Sequence, residues 1–280
     1  MEQITNTVLM VRPVSFRMNE ETAVNNYFQE NLEIQNEEIN QKAQQEFDAF
    51  VSKLEAVGVN VVVVNDKKEL DTPDSIFPNN WVSFHQDGKA AVYPMFAENR
   101  RRERRMEFFE VLEAKGFKIS EVVDYTEAED EKVYLEGTGV LILDRINRKA
   151  YCALSERADE ELFIEFCEDF EYSPVIFHAF QDVNGKRLPI YHTNVMMCVA
   201  EEFAVIYADC IDDAKERKSV LKHLKQDGKE FIMITEAQLH QFAGNMLQVK
   251  GANNKKYLVM SETAHKSLTV AQIRAIEKHC

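Results

Sequence analysis

Apolar positions along the chain mark out short strands and amphipathic helices in a layout that returns several times. Val8-Leu9-Met10-Val11-Arg12-Pro13-Val14 reads as a strand ended by its proline. After a polar stretch, Asn40 to Val57 carries Ala43, Phe47, Phe50, Val51 and Leu54 at helical spacing. Gly58 stops that helix, and Val59-Asn60-Val61-Val62-Val63-Val64 predicts a buried strand. Asp71-Thr72-Pro73-Asp74-Ser75 predicts a loop.

From there a hairpin, a helix and a closing strand recur. The first round pairs Trp81–His85 with Ala90–Pro94, then predicts a helix from Asn99 to Lys115 and a strand at Ile119–Val123. The second has strands at Val140–Leu143 and Ala150–Leu154, a helix at Ala158–Phe170 and a strand at Pro174–Phe177. The third has Val195–Val199 and Phe203–Tyr207, a helix at Asp213–Lys225 and a strand at Phe231–Ile234. The fourth has Met246–Val249, Tyr257–Met260 and a helix from Val270 to about Lys278. The hairpins start roughly 50 to 60 residues apart, as propeller or solenoid modules do. With the N-terminal strand, helix and strand as a fifth module, the expectation is one α/β domain over 1–280. It is a five-module pseudo-symmetric α/β propeller with ββαβ repeats around a central pocket. Two stacked α/β domains would not produce that recurrence.

A ring of like modules brings the residues before each first strand to one end of its axis. Those residues are Asn80, Gly139, Asn194 and Asn245. Their upstream neighbours are Phe77-Pro78-Asn79, Glu136-Gly137-Thr138, Tyr191-His192-Thr193 and Ala243-Gly244. A carboxylate, a histidine and several amides converging on an axis have the make-up of a small-molecule site. Glu136 is the position to watch: an acid between apolar residues and two glycines, where the backbone bends and lets a ligand approach. Each of these residues also has a plain structural reading, Glu136 as a solvated turn acid and the Asn and Gly as ordinary turn formers.

Composition narrows the partners. The 280 residues are 45% hydrophobic and 29% charged, ordinary for a globular chain. A net charge of −15 and a pI near 5.0 argue against nucleic acid or an anionic membrane. The basic run Arg100-Arg101-Arg102-Glu103-Arg104-Arg105 opens a helical pattern and reads as a solvated helix face. Five cysteines (Cys152, Cys167, Cys198, Cys210 and Cys280) form no Cys-x-x-Cys pair, and their odd number suits reduced thiols in the cytoplasm. No signal peptide, no membrane-length apolar run of ~20 residues and no zinc spacing is present, so neither metal nor cofactor is expected.

At Phe77-Pro78-Asn79-Asn80-Trp81, Leu135-Glu136-Gly137-Thr138-Gly139, Leu154-Ser155-Glu156-Arg157 and Tyr191-His192-Thr193-Asn194-Val195 the chain resembles the guanidine-modifying superfamily. That group comprises arginine deiminases, dimethylarginine hydrolases, amidinotransferases and succinylarginine dihydrolases. The resemblance is nearest to the bacterial amidinotransferase-like citrulline hydrolases, and it covers nearly the whole chain. It implies a five-module α/β propeller and a cysteine thiolate that attacks the planar carbon of a guanidinium or ureido group. The tetrahedral adduct loses an amine, and water or an acceptor amine then releases the product. By motif, His192 becomes the general acid and base and Glu136 the carboxylate that orients the head group and moves protons. Phe77, Asn79, Asn80 and Asn194 become binding residues, and Asn245 is expected beside them from its equivalent place in the repeat. Arg157 either pairs with a substrate carboxylate or forms a helix-start salt bridge.

Two departures shape the expectation. Asn194 and either Asn79 or Asn80 stand where deiminases carry acids, and Gly139 replaces a second acid. Amides for carboxylates remove charge that a cation wants and supply donors for a carbonyl oxygen, so a neutral ureido group such as that of citrulline is the expected ligand. The family nucleophile lies in a glycine-rich segment beyond the last helix, whereas this sequence ends at His279-Cys280. Cys280 is not expected to serve, and Cys152 and Cys198 read as buried strand residues. The expectation is a chain lacking its last strand, with an edge prone to self-association, and an unidentified nucleophile. A catalytically inactive ligand-binding protein and an unrelated structural propeller are the alternatives.

Overall fold

Unbroken apolar runs, Val8–Val11 and Val61–Val64, build the first pair of strands. In the computed structural model, which describes residues 2–29 and 35–280, β1 (Thr7–Arg12) and β2 (Asn60–Asn65) lie parallel with Thr7 opposite Asn60. Parallel neighbours need a crossover, and α1 (Asn36–Ala56) supplies it. This helix begins earlier than its apolar periodicity suggests, with Glu37 and Glu38 in the first turn where the helix dipole favours acids. It buries Phe47 and Leu54, and Gly58 follows its end with φ of 84°, a conformation that costs any other residue a Cβ clash.

The chain divides into two compact units, one spanning Asn6–Gly137 and the other Thr138–Cys280 with the N-terminal residues through Thr5. In the first unit β3 (Val82–Phe84) and β4 (Lys89–Val92) form an antiparallel hairpin, and β5 (Glu121–Asp124) lies parallel to β4. The single helix expected between them is two, α2 (Glu98–Arg101) and α3 (Glu107–Ala114). The break falls inside the basic run, whose arginines take separate partners. Arg100 turns inward to Glu103, Arg104 pairs with Glu129, and Arg105 reaches Glu107 and the Asn65 carbonyl. The solvated-face reading is therefore corrected: Arg100 is 2% exposed. Trp81, Val82, Val92, Met95, Phe108 and Phe109 form the core of this unit with Val11 and Val64, the Trp81 and Phe108 rings 5.5 Å apart.

The second unit opens with a helical turn, α4 (Gly137–Val140), at the division point. Then β6 (Ile142–Asp144) and β7 (Lys149–Ala153) form a hairpin, α5 (Glu160–Asp169) follows, and β8 (Ser173–Phe177) returns parallel to β7. Asp159 caps α5 by accepting from the Leu162 amide at 3.0 Å. An extra hairpin, β9 (Phe180–Val183) and β10 (Lys186–Pro189), interrupts the recurrence. Its turn is Asn184-Gly185 with φ of 52° and 76°, a strong local hairpin signal that the long-range repeat pattern obscures.

The third round starts with a helical turn, α6 (Thr193–Met196), where a strand was expected, and its hairpin strands are β11 (Met197–Val199) and β12 (Phe203–Ile206). Next, α7 (Ala214–Gln226) leads to β13 (Glu230–Met233), parallel to β12. A short α8 (Glu236–Leu239) precedes the hairpin of β14 (Leu247–Lys250) and β15 (Lys256–Val259). The helices α9 (Glu262–Ser267) and α10 (Val270–Glu277) follow. Hairpin, helix and parallel strand thus recur three times in full, in an α/β fold of separate mixed sheets.

Two polar devices tie the second unit together. Gln3 donates to the Leu143 and Val199 carbonyls and accepts from the Arg145 amide, which fastens the N-terminal residues to the ends of β6 and β11. Lys229 lies 3.1 Å from Asp144, the two side chains 1% and 0% exposed, and it also donates to the Ala200 and Glu201 carbonyls. Removing one partner of such a pair leaves an uncompensated buried charge, so Lys229→Met should lower the unfolding free energy by about 3–5 kcal/mol. Lys266→Met, which breaks an exposed pair with Glu262, should cost under about 0.5 kcal/mol. Urea unfolding of the two variants measures both. A loss below about 1 kcal/mol in Lys229→Met would contradict the buried-pair account.

Candidate active site

In the first unit a short turn, Pro78–Asn80, carries the amide residues, with proline at its first position setting the backbone. Phe77 is 46% exposed, Asn79 partly buried and Asn80 4% exposed. Glu136 is fully buried, and its Oε1 accepts from the Phe96 backbone N–H at 3.0 Å. The solvated-turn reading of this acid is thereby excluded. Gly137 follows it with φ of 42°, and a Cβ there would stand 2.4 Å from the Asn79 carbonyl oxygen and 2.9 Å from that of Asn80. The glycine is what lets the Glu136 segment press against the amide turn. The structure therefore brings Phe77, Asn79, Asn80 and Glu136 together.

Sequence reasoning missed the group beneath them. Arg100 donates through Nη1 to Asn80 Oδ1 at 2.7 Å, and through Nε and Nη2 to Glu103 at 2.9 and 3.0 Å. Its Nη2 also reaches the Phe77 and Asp74 carbonyls, and Asp74 Oδ2 lies 3.8 Å from its Nε. Burial works against the guanidinium charge, but Glu103, Asp74 and Glu136 outweigh it and hold the group above its ordinary range. Burial pushes the Glu103 carboxyl up to about 7, helped by Asp74 and Glu136 and opposed by Arg100. The available signal was a single acid set inside five arginines, which a solvated helix face does not need.

The second unit gathers the remaining residues around His192, which stands at the N-terminus of α6 and is 5% exposed. Its ring lies 4.4 Å from that of Tyr191, and the Arg157 guanidinium sits 4.9 Å over the Tyr191 ring. Ser155 fixes this arrangement, donating to the Tyr191 carbonyl at 2.8 Å and accepting from the Arg157 amide at 3.2 Å. Thr193 accepts from the Ala153 amide, so β7 and the His192 turn are locked together. Asn245 donates to the Asn194 carbonyl at 3.1 Å, and Asn194 donates to that of Thr138 at 3.5 Å. At the neighbouring Gly244 a Cβ would meet the Val195 oxygen at 2.3 Å, which requires glycine there. Arg157 is 1% exposed.

No thiol of the chain is activated. Cys152, Cys167, Cys198 and Cys210 are buried, and burial raises each above the ordinary thiol range. Half-buried Cys280 is raised for the same reason, its sulfur accepting from Gln248 Nε2 at 3.4 Å. A nucleophilic thiolate needs the opposite shift. Among the described residues no group of three or more His, Cys, Asp and Glu is arranged to hold a metal ion, and no helix is long and apolar enough to cross a membrane.

The α/β fold is one shared with guanidino-modifying proteins. The chain belongs to that amidinotransferase and dimethylarginine hydrolase superfamily: the family model described as N,N dimethylarginine dimethylhydrolase, eukaryotic, matches residues 12–280. No curated protein matches the sequence significantly. Among solved structures, the N-terminal domain of cyanobacterial ArgZ, an arginine dihydrolase of the ornithine-ammonia cycle, is similar with a TM-score of 0.69 at 15% identity. That similarity, to a cysteine-to-serine mutant bound to substrate, covers 96% of this chain and 88% of the ArgZ domain. Unliganded AgrE is similar with a TM-score of 0.69 at 17% identity, over 97% of this chain and 35% of AgrE. The dimethylarginine hydrolase of Pseudomonas aeruginosa, a cysteine-to-serine mutant complexed with citrulline, has a TM-score of 0.60 at 14% identity, covering 97% and 89%. The chain thus spans about a third of the length of full ArgZ and AgrE, with 36% and 35% covered. At these identities the likeness is one of fold.

Two outcomes test the arrangement in the first unit. Gly137→Ala drives a Cβ into backbone that cannot yield cheaply, so it should cost roughly 2–4 kcal/mol of stability. A near-neutral urea midpoint would refute the close approach. Glu103 is protonated in the folded chain up to a higher pH than in the unfolded one, where 4.5 is the ordinary value. Its stabilising contribution is therefore full below about pH 4.5 and falls as pH rises toward about 7. Glu103→Gln, neutral throughout, should lose less stability than the natural chain between about pH 5 and about pH 7.5. Parallel pH profiles would remove Glu103 as the titrating group.

Proposed function

We propose that the protein acts on the ureido or guanidino group of a small amino acid, hydrolysing its C–N bond, with citrulline preferred to arginine. The observation that carries this reading is Glu136, a fully buried carboxylate held by a backbone N–H beside the Asn79-Asn80 turn. Membership of a dimethylarginine hydrolase family supports the reaction class. ArgZ as an arginine dihydrolase, and the P. aeruginosa dimethylarginine hydrolase complexed with citrulline, support the ligand class. The five-module propeller of the sequence reading belongs here too, supported by three complete modules and two partial ones.

In this reading Glu136 orients the head group, and His192 gives a proton to the departing amine and takes one from the incoming water. Phe77, Asn79, Asn80, Asn194, Asn245 and Arg157 bind the ligand. The amides donate to a ureido oxygen where acids would grip a cation. Attack by a thiolate forms a C–S bond. The C–N bond to the side-chain amine then breaks and ornithine leaves with the His192 proton. Water gives a proton back to His192 and attacks the S-carbamoyl carbon. The C–S bond breaks to restore the thiolate, and carbamate departs to decompose to carbon dioxide and ammonia. None of the five thiols is assigned as that nucleophile. Their raised pKa values favour a second reading, a protein that binds the amino acid without turning it over.

Calorimetric titration of the 280-residue chain with citrulline and with arginine is the test, beside an assay for ornithine release. Citrulline should bind more tightly, and equal or reversed affinities would sink the ureido reading. His192→Gln and Glu136→Gln should lower any turnover by roughly 10²–10⁴-fold. Binding without ornithine release would establish the second reading. Turnover abolished by Cys280→Ser would assign the nucleophile to Cys280, despite the burial that raises its thiol.

A further inference from the structure

Asn80 is a buried amide with one end spoken for. An arginine has only N–H donors, so the atom 2.7 Å from Arg100 Nη1 has to be the amide oxygen, whichever way the side chain is drawn. No hydrogen bond from Asn80 Nδ2 is found among the described residues, and the residue keeps 4% exposure. Arg100 cannot swing to release the oxygen. Glu103 holds it at two points, 2.9 and 3.0 Å, and the Phe77 and Asp74 carbonyls hold a third N–H.

We infer that Arg100, braced by Glu103, is a positioning residue that fixes Asn80 with its N–H₂ group toward the ligand and thereby sets the preference for a ureido oxygen over a guanidinium. The inference rests on the ligand class proposed above. A free asparagine could rotate its amide and offer its oxygen to a guanidinium N–H as readily as its nitrogen to a carbonyl. The charge-assisted bond to Arg100 removes that second option. Discrimination comes from rejection as much as attraction, because a guanidinium N–H facing Asn80 Nδ2 finds two donors opposed and no acceptor.

The test has to hold charge constant, since deleting Arg100 alone adds net negative charge and draws arginine for a trivial reason. Arg100→Met combined with Glu103→Gln, compared with the natural chain at a pH well above the Glu103 value of about 7, removes the brace without changing net charge. Calorimetry with citrulline and arginine should show the affinity ratio falling by about tenfold in the double variant, the scale of one oriented hydrogen bond to a charged or strongly polar group. General damage to the pocket would weaken both ligands and leave the ratio in place. A ratio unmoved while both ligands still bind overturns the inference and leaves the function reading intact. Should the double variant fail to fold, the natural chain decides. The Asn80 side-chain ¹⁵N–¹H₂ signals, assigned by their loss in Asn80→Asp, should shift on saturation with citrulline and much less with arginine. Signals unmoved by bound citrulline overturn the inference. If the natural chain binds neither ligand, the function reading fails first and the inference falls with it.

Discussion

A buried guanidinium needs its charge answered, and the first unit is arranged around that need at Arg100. The side chain is 2% exposed. Burying it unpaired would be prohibitive, so Glu103, Asp74 and the carbonyls of the Phe77 loop converge on it. Arg100, in the short helix α2, and Glu103, just beyond its end, both turn inward. The oxygen of Asn80 fills the remaining side of the guanidinium. Glu136 adds another charge to this group, which makes acids and amides of the candidate site part of one electrostatic system.

The second unit solves the same problem with a smaller cation. Lys229 and Asp144 are among its most enclosed charges, and Asn147 completes the acid's coordination with its backbone and side-chain N–H groups. The pair joins the β6–β7 turn to the approach to β13 and to the turn after β11. Pairs of this kind add little net stability over an apolar replacement, but they specify one arrangement, because any other leaves a charge stranded. Around His192 hydroxyl and backbone groups hold the turn. Ser155, Thr193 and the Tyr191 ring under Arg157 hold the turn through backbone contacts and stacking.

Most of the strands and helices are legible from apolar periodicity, and the hairpin–helix–strand order can be read three times without coordinates. The departures have local causes. The β9–β10 hairpin was announced by Asn184-Gly185, but its strands are short and half polar, so no apolar run marks them. The helical turn at Thr193–Met196 begins a segment whose valine and methionines suggest only a strand. Propensity in so short a piece is a weak guide beside the packing of its neighbours.

Phe77, Asn79, Asn80, Glu136, His192, Asn194 and Asn245 could be singled out as candidates because their chemical types stand at matching places in a repeat, and Arg157 because its stretch resembles the family's. Repeat register is a property of the chain alone. Whether Glu136 is solvated or buried, and whether an arginine run lies on the surface or turns inward, depends on which distant residues fill the space around them. The Arg100–Glu103 brace joins residues three apart to a turn some twenty residues earlier, and nothing in either stretch encodes the other. Which end of the Asn80 amide faces a ligand is likewise a tertiary matter: the sequence names an amide, and only a donor placed 2.7 Å away decides that its oxygen points inward.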